Sequence, residues 1–165
     1  MAGPPPPVPL VLCGKNPSLA TSFVDALNNT EYDVIHVCHD LQTAKSEIPA
    51  LLRGQPVPNP SSHLSKLPNK DNPIVPKAVV IGKGFSEEEM DDIIATGRRE
   101  EKEGSGVLWL KPDDEKITMA MKAKMVLSAG TMIAPMVADR VRQTLKERGV
   151  VPGAEGKVEG GVVGF

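Results

Sequence analysis

Four short, predominantly apolar runs constrain the fold of this chain most, because a segment with helical periodicity follows each of them. The runs comprise residues 9–14, 32–40, 77–85 and 106–112. Continuously apolar strands are typical of parallel sheets buried on both faces. The sequence therefore predicts an α/β fold: a three-layer, Rossmann-like, doubly wound sheet of about four parallel strands joined by right-handed connections, with a long C-terminal helical segment.

Two of the intervening helices carry local signals. Ser86, followed three residues later by Glu89, is a capping-box pattern that marks the start of a helix. Residues 41–54 predict another helix, which Pro49 is expected to shorten or kink because proline lacks the backbone donor that a helix needs.

The C-terminal helical pattern covers residues 114–148, and the segment 128–131 is expected to divide it into two helices. Five of the seven methionines fall within 119–136. Methionines at helical spacing are typical of core filling. The alternative is an exposed apolar face, which would make residues 117–145 a homodimer interface.

The chain is expected to form one domain at residues 10–149. Residues 1–9 are a Pro-rich lead-in without regular structure, and the Gly-rich tail 150–165 is either disordered or docked on the surface through its apolar end. Residues 55–77 carry six of the 16 prolines and predict a long connection, with disorder or an extended wrap favoured over a lid.

Charge and composition narrow the partners. Nucleic-acid binding is not expected. The net charge of −2 does not favour contact with a nucleic-acid backbone, and three Phe, one Tyr and one Trp are too few for a base-stacking surface. A membrane span is not expected, since no apolar run approaches about 18 residues. Cys13 and Cys38 lie within apolar runs and are expected to be buried thiols, which together with the absence of an export signal favours a cytoplasmic protein.

The turn after the first strand contains Gly14, with Ser18 and Ala20 at the spacing of G-x-x-x-G-x-G. It resembles the glycine-rich turn of the short-chain dehydrogenase/reductase family of the Rossmann-fold NAD(P)-binding superfamily. The resemblance implies that NAD or NADP binds at this turn. The residues that it assigns to the cofactor here are Gly14, Lys15, Asn16, Pro17, Ser18 and Leu19.

Two further segments extend the resemblance. His39 and Asp40 end the second strand, where the family places the residues that contact the adenosine ribose, and Gly84 takes the glycine position of a segment similar to the family's N-N-A-G. The family's catalytic Tyr-x-x-x-Lys is missing, since the only tyrosine is Tyr32. The resemblance therefore implies a minimal enzyme or a cofactor sensor.

The residues themselves also suggest an anion site. Lys15 follows Gly14, and Lys83 lies between Gly82 and Gly84, each pair at the carboxyl end of a strand. In a parallel sheet both cations reach one crevice, where they would suit a phosphate or carboxylate. The alternative is a plain strand-to-helix turn in which Asn16 or Ser18 caps the helix.

Histidine provides a weaker signal. His39, at a strand end, is a weak candidate for a general base, and its alternative is an ordinary loop residue. His36 and His39 are three residues apart on a strand and face opposite sides, so no metal site is expected.

Three functions are therefore compatible with the sequence. The first is binding of a nucleotide cofactor or other anionic small molecule. The second is a non-catalytic dimerisation module, and the third is a small hydrolase or isomerase that uses His39 and a strand-end acid.

Overall fold

The computed structural model describes residues 3–57, 59–66, 74–101, 106–113, 115, 118–127, 132–154 and 160–165. Within these residues five strands and five helices occur, so the protein has an α/β fold, as predicted. The strands are β1 (Val8–Cys13), β2 (Tyr32–Cys38), β3 (Ala78–Ile81), β4 (Leu108–Lys111) and β5 (Gly161–Gly164). The helices are α1 (Pro17–Leu27), α2 (Leu41–Leu52), α3 (Glu87–Arg98), α4 (Met119–Leu127) and α5 (Ile133–Glu147).

The strands form one all-parallel sheet in the order β2-β1-β3-β4-β5. The sequence predicts about four strands, and the fifth comes from the Gly-rich tail, where Gly161–Gly164 pairs with β4. Two valines between glycines give little strand signal, because glycine is depleted in strands. At the other end, Val8 and Pro9 belong to β1 rather than to an irregular lead-in.

Helices cover both faces of the sheet, as predicted. α1 and α5 pack on one face, over alternate strand residues such as Leu10, Val80 and Leu110. α2 and α3 pack on the other face, over residues that include Val79 and Trp109. These two surfaces are called the α1/α5 face and the α2/α3 face.

The connection between β4 and β5 has the opposite hand to the other three. β3 to β4 and β4 to β5 step in the same direction across the sheet, but α3 lies on the α2/α3 face and α5 on the α1/α5 face. Right-handed connections are predicted throughout, and this one differs because α5 buries its apolar residues against α1.

Helix boundaries follow local chemistry. The capping box of Ser86 and Glu89 is present at the start of α3. α2 continues three residues past the buried Pro49 to Leu52, so Pro49 does not end it. The C-terminal pattern is divided into α4 and α5 as predicted, although residues 128–131 lie outside the described residues. In the part of the chain that the structure describes, no helix has the length and apolar character needed to cross a bilayer.

Candidate functional site

A cavity of about 250 Å³ opens at the carboxyl ends of β1 and β3, on the α1/α5 face. In the strand order 2-1-3-4-5, β1 and β3 flank the point where the chain reverses its direction across the sheet. Ligands of open α/β sheets bind at this switch point. The cavity therefore lies where this topology favours a ligand.

The walls of the cavity are mainly apolar. β1 and β3 contribute Leu12 and Val80, and α5 contributes Ala134 and Val137. Phe165, which follows β5, closes another side and is itself buried. An apolar wall with few polar groups is typical of small-molecule sites.

Small residues keep the space open between the first turn and the helices. Gly14 and Ala20 both line the cavity, and a Cβ atom added to Gly14 would lie 3.4 Å from the Cβ of Ala20. Any branched residue at position 14 would therefore extend into the cavity or against α1.

Three cationic residues, Lys15, Lys83 and Arg140, and one acidic residue, Asp113, contribute to the lining. The Nζ of Lys15 lies 2.8 Å from Oε1 of Glu89 and 5.1 Å from the centroid of the Phe85 ring. The hydrogen bond from Lys15 lowers the pKa of Glu89 below its ordinary value. An anion at this rim would share Lys15 with Glu89 rather than meet an isolated charge.

The structure brings together seven of the eleven sequence-predicted binding residues. Those that line the cavity are Gly14, Lys15, Asn16, Leu19, Gly82, Lys83 and Gly84. The remaining four are not among the lining residues. They are Pro17, Ser18, His39 and Asp40.

The turn residues also have structural roles. The Asn16 side chain accepts a hydrogen bond from the N–H of Leu19 and caps α1, with Pro17 as the first helical residue. A Cβ atom on Gly82 would lie 3.1 Å from the carbonyl oxygen of Cys13. Capping and close backbone packing therefore explain part of the glycine and asparagine pattern without a ligand.

His39 and Asp40 do not line the cavity, and local contacts occupy both side chains. His39 Nδ1 lies 2.8 Å from the carbonyl oxygen of Gly14, and Nε2 lies 2.9 Å from Oγ of the buried Ser62. A carbonyl oxygen only accepts, so Nδ1 donates its proton to Gly14. Asp40 caps α2 by accepting from the N–H of Thr43. Both residues support the fold in these positions.

The two cysteines are buried, as predicted, and face each other across β1 and β2. A hydrogen bond with Cys13 and burial raise the pKa of Cys38 well above its ordinary value. The Cys38 thiol is therefore protonated at neutral pH.

Sequence reasoning missed the part of the cavity that α5 and the C-terminal residues supply. Arg140, Ala134 and Phe165 come from segments more than 110 positions after the first turn. The sequence pattern predicts the apolar stripe of α5. The face of the sheet that this stripe covers depends on the hand of the β4–β5 connection. No local pattern encodes that hand.

Comparison with known proteins finds a relative of similar length. The chain is similar to "Kojic acid related protein 6" of Aspergillus oryzae, with 28% identity over 147 residues that cover 89% of this chain and 84% of that protein. No protein-family model matches the chain. No solved structure matches it either.

Proposed function

We propose that this protein binds a nucleotide cofactor or another anionic small molecule in the cavity at the carboxyl ends of β1 and β3. The observation that carries the proposal is the combination of mainly apolar walls with Lys15, Lys83 and Arg140 in one cavity at the switch point. Apolar walls take up a ring or chain, and the cations attract a phosphate or carboxylate.

The size of the cavity favours a compact ligand. About 250 Å³ is slightly below the range of roughly 300–1,000 Å³ that is typical of small-molecule pockets. A mononucleotide ring or a small organic acid suits this volume, whereas NAD or NADP would extend beyond it into solvent. Hydride transfer in the short-chain dehydrogenase/reductase family uses a catalytic tyrosine. The only tyrosine here, Tyr32, lies at the amino end of β2, whereas the cavity lies at the carboxyl ends of the strands. We therefore propose binding or sensing rather than hydride transfer by that mechanism.

The test is thermal unfolding of the purified protein with NADPH, NADP, NADH, NAD, FMN, ATP, S-adenosylmethionine and kojic acid, the last because it occurs in the name of a relative. A ligand at about 100 times its Kd stabilises a protein by about 2.7 kcal/mol, which raises the Tm of a domain of this size by several degrees. The absence of any shift across the panel would count against the proposal.

Leu19→Asp is the variant that links a shift to the cavity. Leu19 lines the cavity yet is 48% exposed, so aspartate is tolerated by the fold but repels an anion. Ile74→Asp is the matched control, because Ile74 is 39% exposed, lies outside α4 and does not line the cavity. We expect the shift to disappear in the first variant and to persist in the second.

A second candidate function is self-association through α4. Met119, Val126 and Leu127 are each at least 79% exposed, which is costly for apolar side chains unless a partner covers them. α5 buries its own apolar residues inside the protein, so the proposed interface narrows from 117–145 to α4. Light scattering distinguishes this candidate: Leu127→Asp should reduce the mass of any oligomer, whereas Leu19→Asp should not.

A further inference from the structure

A cluster of metal-ligating side chains lies on the α2/α3 face, away from the cavity. His36 and Cys38 extend from β2, and Glu47 extends from α2 toward them. Their ligand atoms all lie within 4.8 Å of one another. His36 and Cys38 are fully buried and Glu47 is 9% exposed.

A β-bulge places His36 on this face. Leu10 pairs with Val34, but the next residue of β1, Val11, pairs with His36, so Ile35 is an extra residue in β2. Tyr32 and Val34 lie in the core of the α1/α5 face, and unbroken alternation would put His36 there too. Bulges often redirect a side chain toward a functional site.

The Nε2 atom of His36 is buried and makes no hydrogen bond within the described residues. It lies 2.9 Å from Oε1 of Glu47, but the geometry is not that of a hydrogen bond. A buried polar atom without such a partner is costly. A cation that accepts an electron pair from the imidazole nitrogen and another from the neighbouring carboxylate would satisfy Nε2.

We propose that His36, Cys38 and Glu47 bind a divalent transition-metal ion, with Zn²⁺ favoured by this set of donors. Nitrogen, thiolate and carboxylate ligands are those that proteins use for zinc. When the ion binds, the Cys38 S–H bond breaks, an S–Zn bond forms, and the proton passes to solvent.

Charge balance supports a buried site with these ligands. A neutral imidazole, one thiolate and one carboxylate contribute two negative charges, which cancel the two positive charges of Zn²⁺. A neutral assembly avoids most of the free-energy cost of burying an isolated ion.

Serines from the segment 61–65 orient two of the three ligands. Ser65 Oγ lies 3.0 Å from Nδ1 of His36, the ring nitrogen that points away from Glu47. Ser61 donates to Oε1 of Glu47 from its N–H at 3.3 Å and its hydroxyl at 3.2 Å. Partners of this kind orient metal ligands and strengthen binding. They give part of the Pro-rich connection a role as a wrap over the site.

The test is titration of metal-free protein with Zn²⁺ alone, in competition with a chromogenic chelator, together with Co²⁺ absorption spectra. We expect one ion per chain and a cobalt–thiolate band. Glu47→Gln, which keeps the size of the side chain, should weaken Zn²⁺ binding at least tenfold. Cys38→Ser should abolish the cobalt–thiolate band.

His63→Gln is the matched control, since the His63 side chain is exposed and is not in the cluster, and this variant should bind Zn²⁺ like the unmodified protein. Circular dichroism and cooperative unfolding without metal show whether each variant folds. The proposal is overturned if the unmodified protein binds no Zn²⁺, or if folded Glu47→Gln and Cys38→Ser bind it unchanged. Leu19→Asp should retain full Zn²⁺ binding, so this test is independent of the proposed function of the cavity.

Discussion

The two faces of the sheet are packed differently although the same parallel strands form both. On the α2/α3 face, α3 comes so close to the sheet that Gly97 lies directly over the ring of Trp109. On the α1/α5 face, the small side chains of Ala20 and Ala134 stand where the cavity opens. Helix side-chain volume, rather than the sheet, therefore decides which face can hold a small molecule.

The α1/α5 face is secured at the edge far from its cavity. The Tyr32 hydroxyl donates to the carbonyl oxygen of Val150 at 2.7 Å, and Arg142 donates to the carbonyl oxygen of Ala26 at 2.8 Å. These bonds fix the C-terminal half of α5. Its N-terminal half is consequently placed over the cavity without having to fill it.

The largest effect is expected from Gly97→Ala on the α2/α3 face. The added methyl group would overlap the ring of the fully buried Trp109, so we expect a loss of about 2–3 kcal/mol in the free energy of unfolding. Alanine has the higher helix propensity, which would stabilise α3 if packing did not matter. Urea unfolding shows whether the variant is less or more stable than the unmodified protein. A more stable variant would mean that α3 is not packed more closely on the sheet than the helices of the other face.

A matched pair of alanines compares the two faces directly. Ala44→Leu on α2 should cost about 1–2 kcal/mol because Ala44 is 1% exposed within a close-packed core. Ala134→Leu on α5 should be neutral or stabilise by about 0.5–1 kcal/mol, since the cavity can receive the larger side chain. Equal losses in urea unfolding would contradict the difference in packing, and Ala134→Leu should also lower ligand affinity.

Tyr32→Phe tests the distant anchor of the cavity face. Loss of the hydrogen bond to Val150 should cost about 1 kcal/mol. Burial raises the pKa of Tyr32 to about 12 from its ordinary value of 10.0. Because the folded-state pKa is the higher one, this stabilisation is complete below pH 10 and is lost as the pH rises from 10 through about 12.

Unfolding free energies of Tyr32→Phe and the unmodified protein should therefore converge above pH 10. A constant difference in unfolding free energy from pH 8 to 12 would show that folding does not change the pKa of the Tyr32 hydroxyl.

The smallest effect is expected from Glu89→Gln at the rim of the cavity. Glutamine preserves the capping box but removes the charge that pairs with Lys15. Since the folded-state pKa of Glu89 is lowered, its stabilising contribution is present above its ordinary pKa of 4.5 and is lost as the pH falls. The variant should lose less stability than the unmodified protein between pH 6 and 3 in thermal scans, and Glu88→Gln should behave like the unmodified protein.

Local patterns in the sequence predicted most of the fold. Periodicity and apolar runs located four strands, and the capping box at Ser86 located the start of α3. The turn at Gly14 and the glycines at 82 and 84 pointed to the cavity, because strand-to-helix turns at one edge of a parallel sheet converge. α5 and Phe165 could not be assigned to it, because their placement depends on contacts between distant segments.

The same limit applies to the histidines. The sequence predicts no metal site because His36 and His39 face opposite sides of a strand, whereas the structure groups His36 with Cys38 and Glu47. The cluster of His36 with Glu47 depends on a bulge at Ile35 and on the packing of α2. A one-residue irregularity in strand pairing leaves no periodic signal.

The position of β5 at the edge of the sheet has a consequence for the dynamics of the molecule. β5 has only four residues and lies at the edge of the sheet, where β4 is its one neighbouring strand among the described residues. Few backbone hydrogen bonds therefore hold it in place, and opening it costs little free energy. β5 is therefore expected to detach as a local unit, with faster amide hydrogen exchange than β1 or β3. Because Phe165 follows β5 and forms a wall of the cavity, each detachment would open the cavity to solvent, and a bound molecule should slow exchange in β5 first.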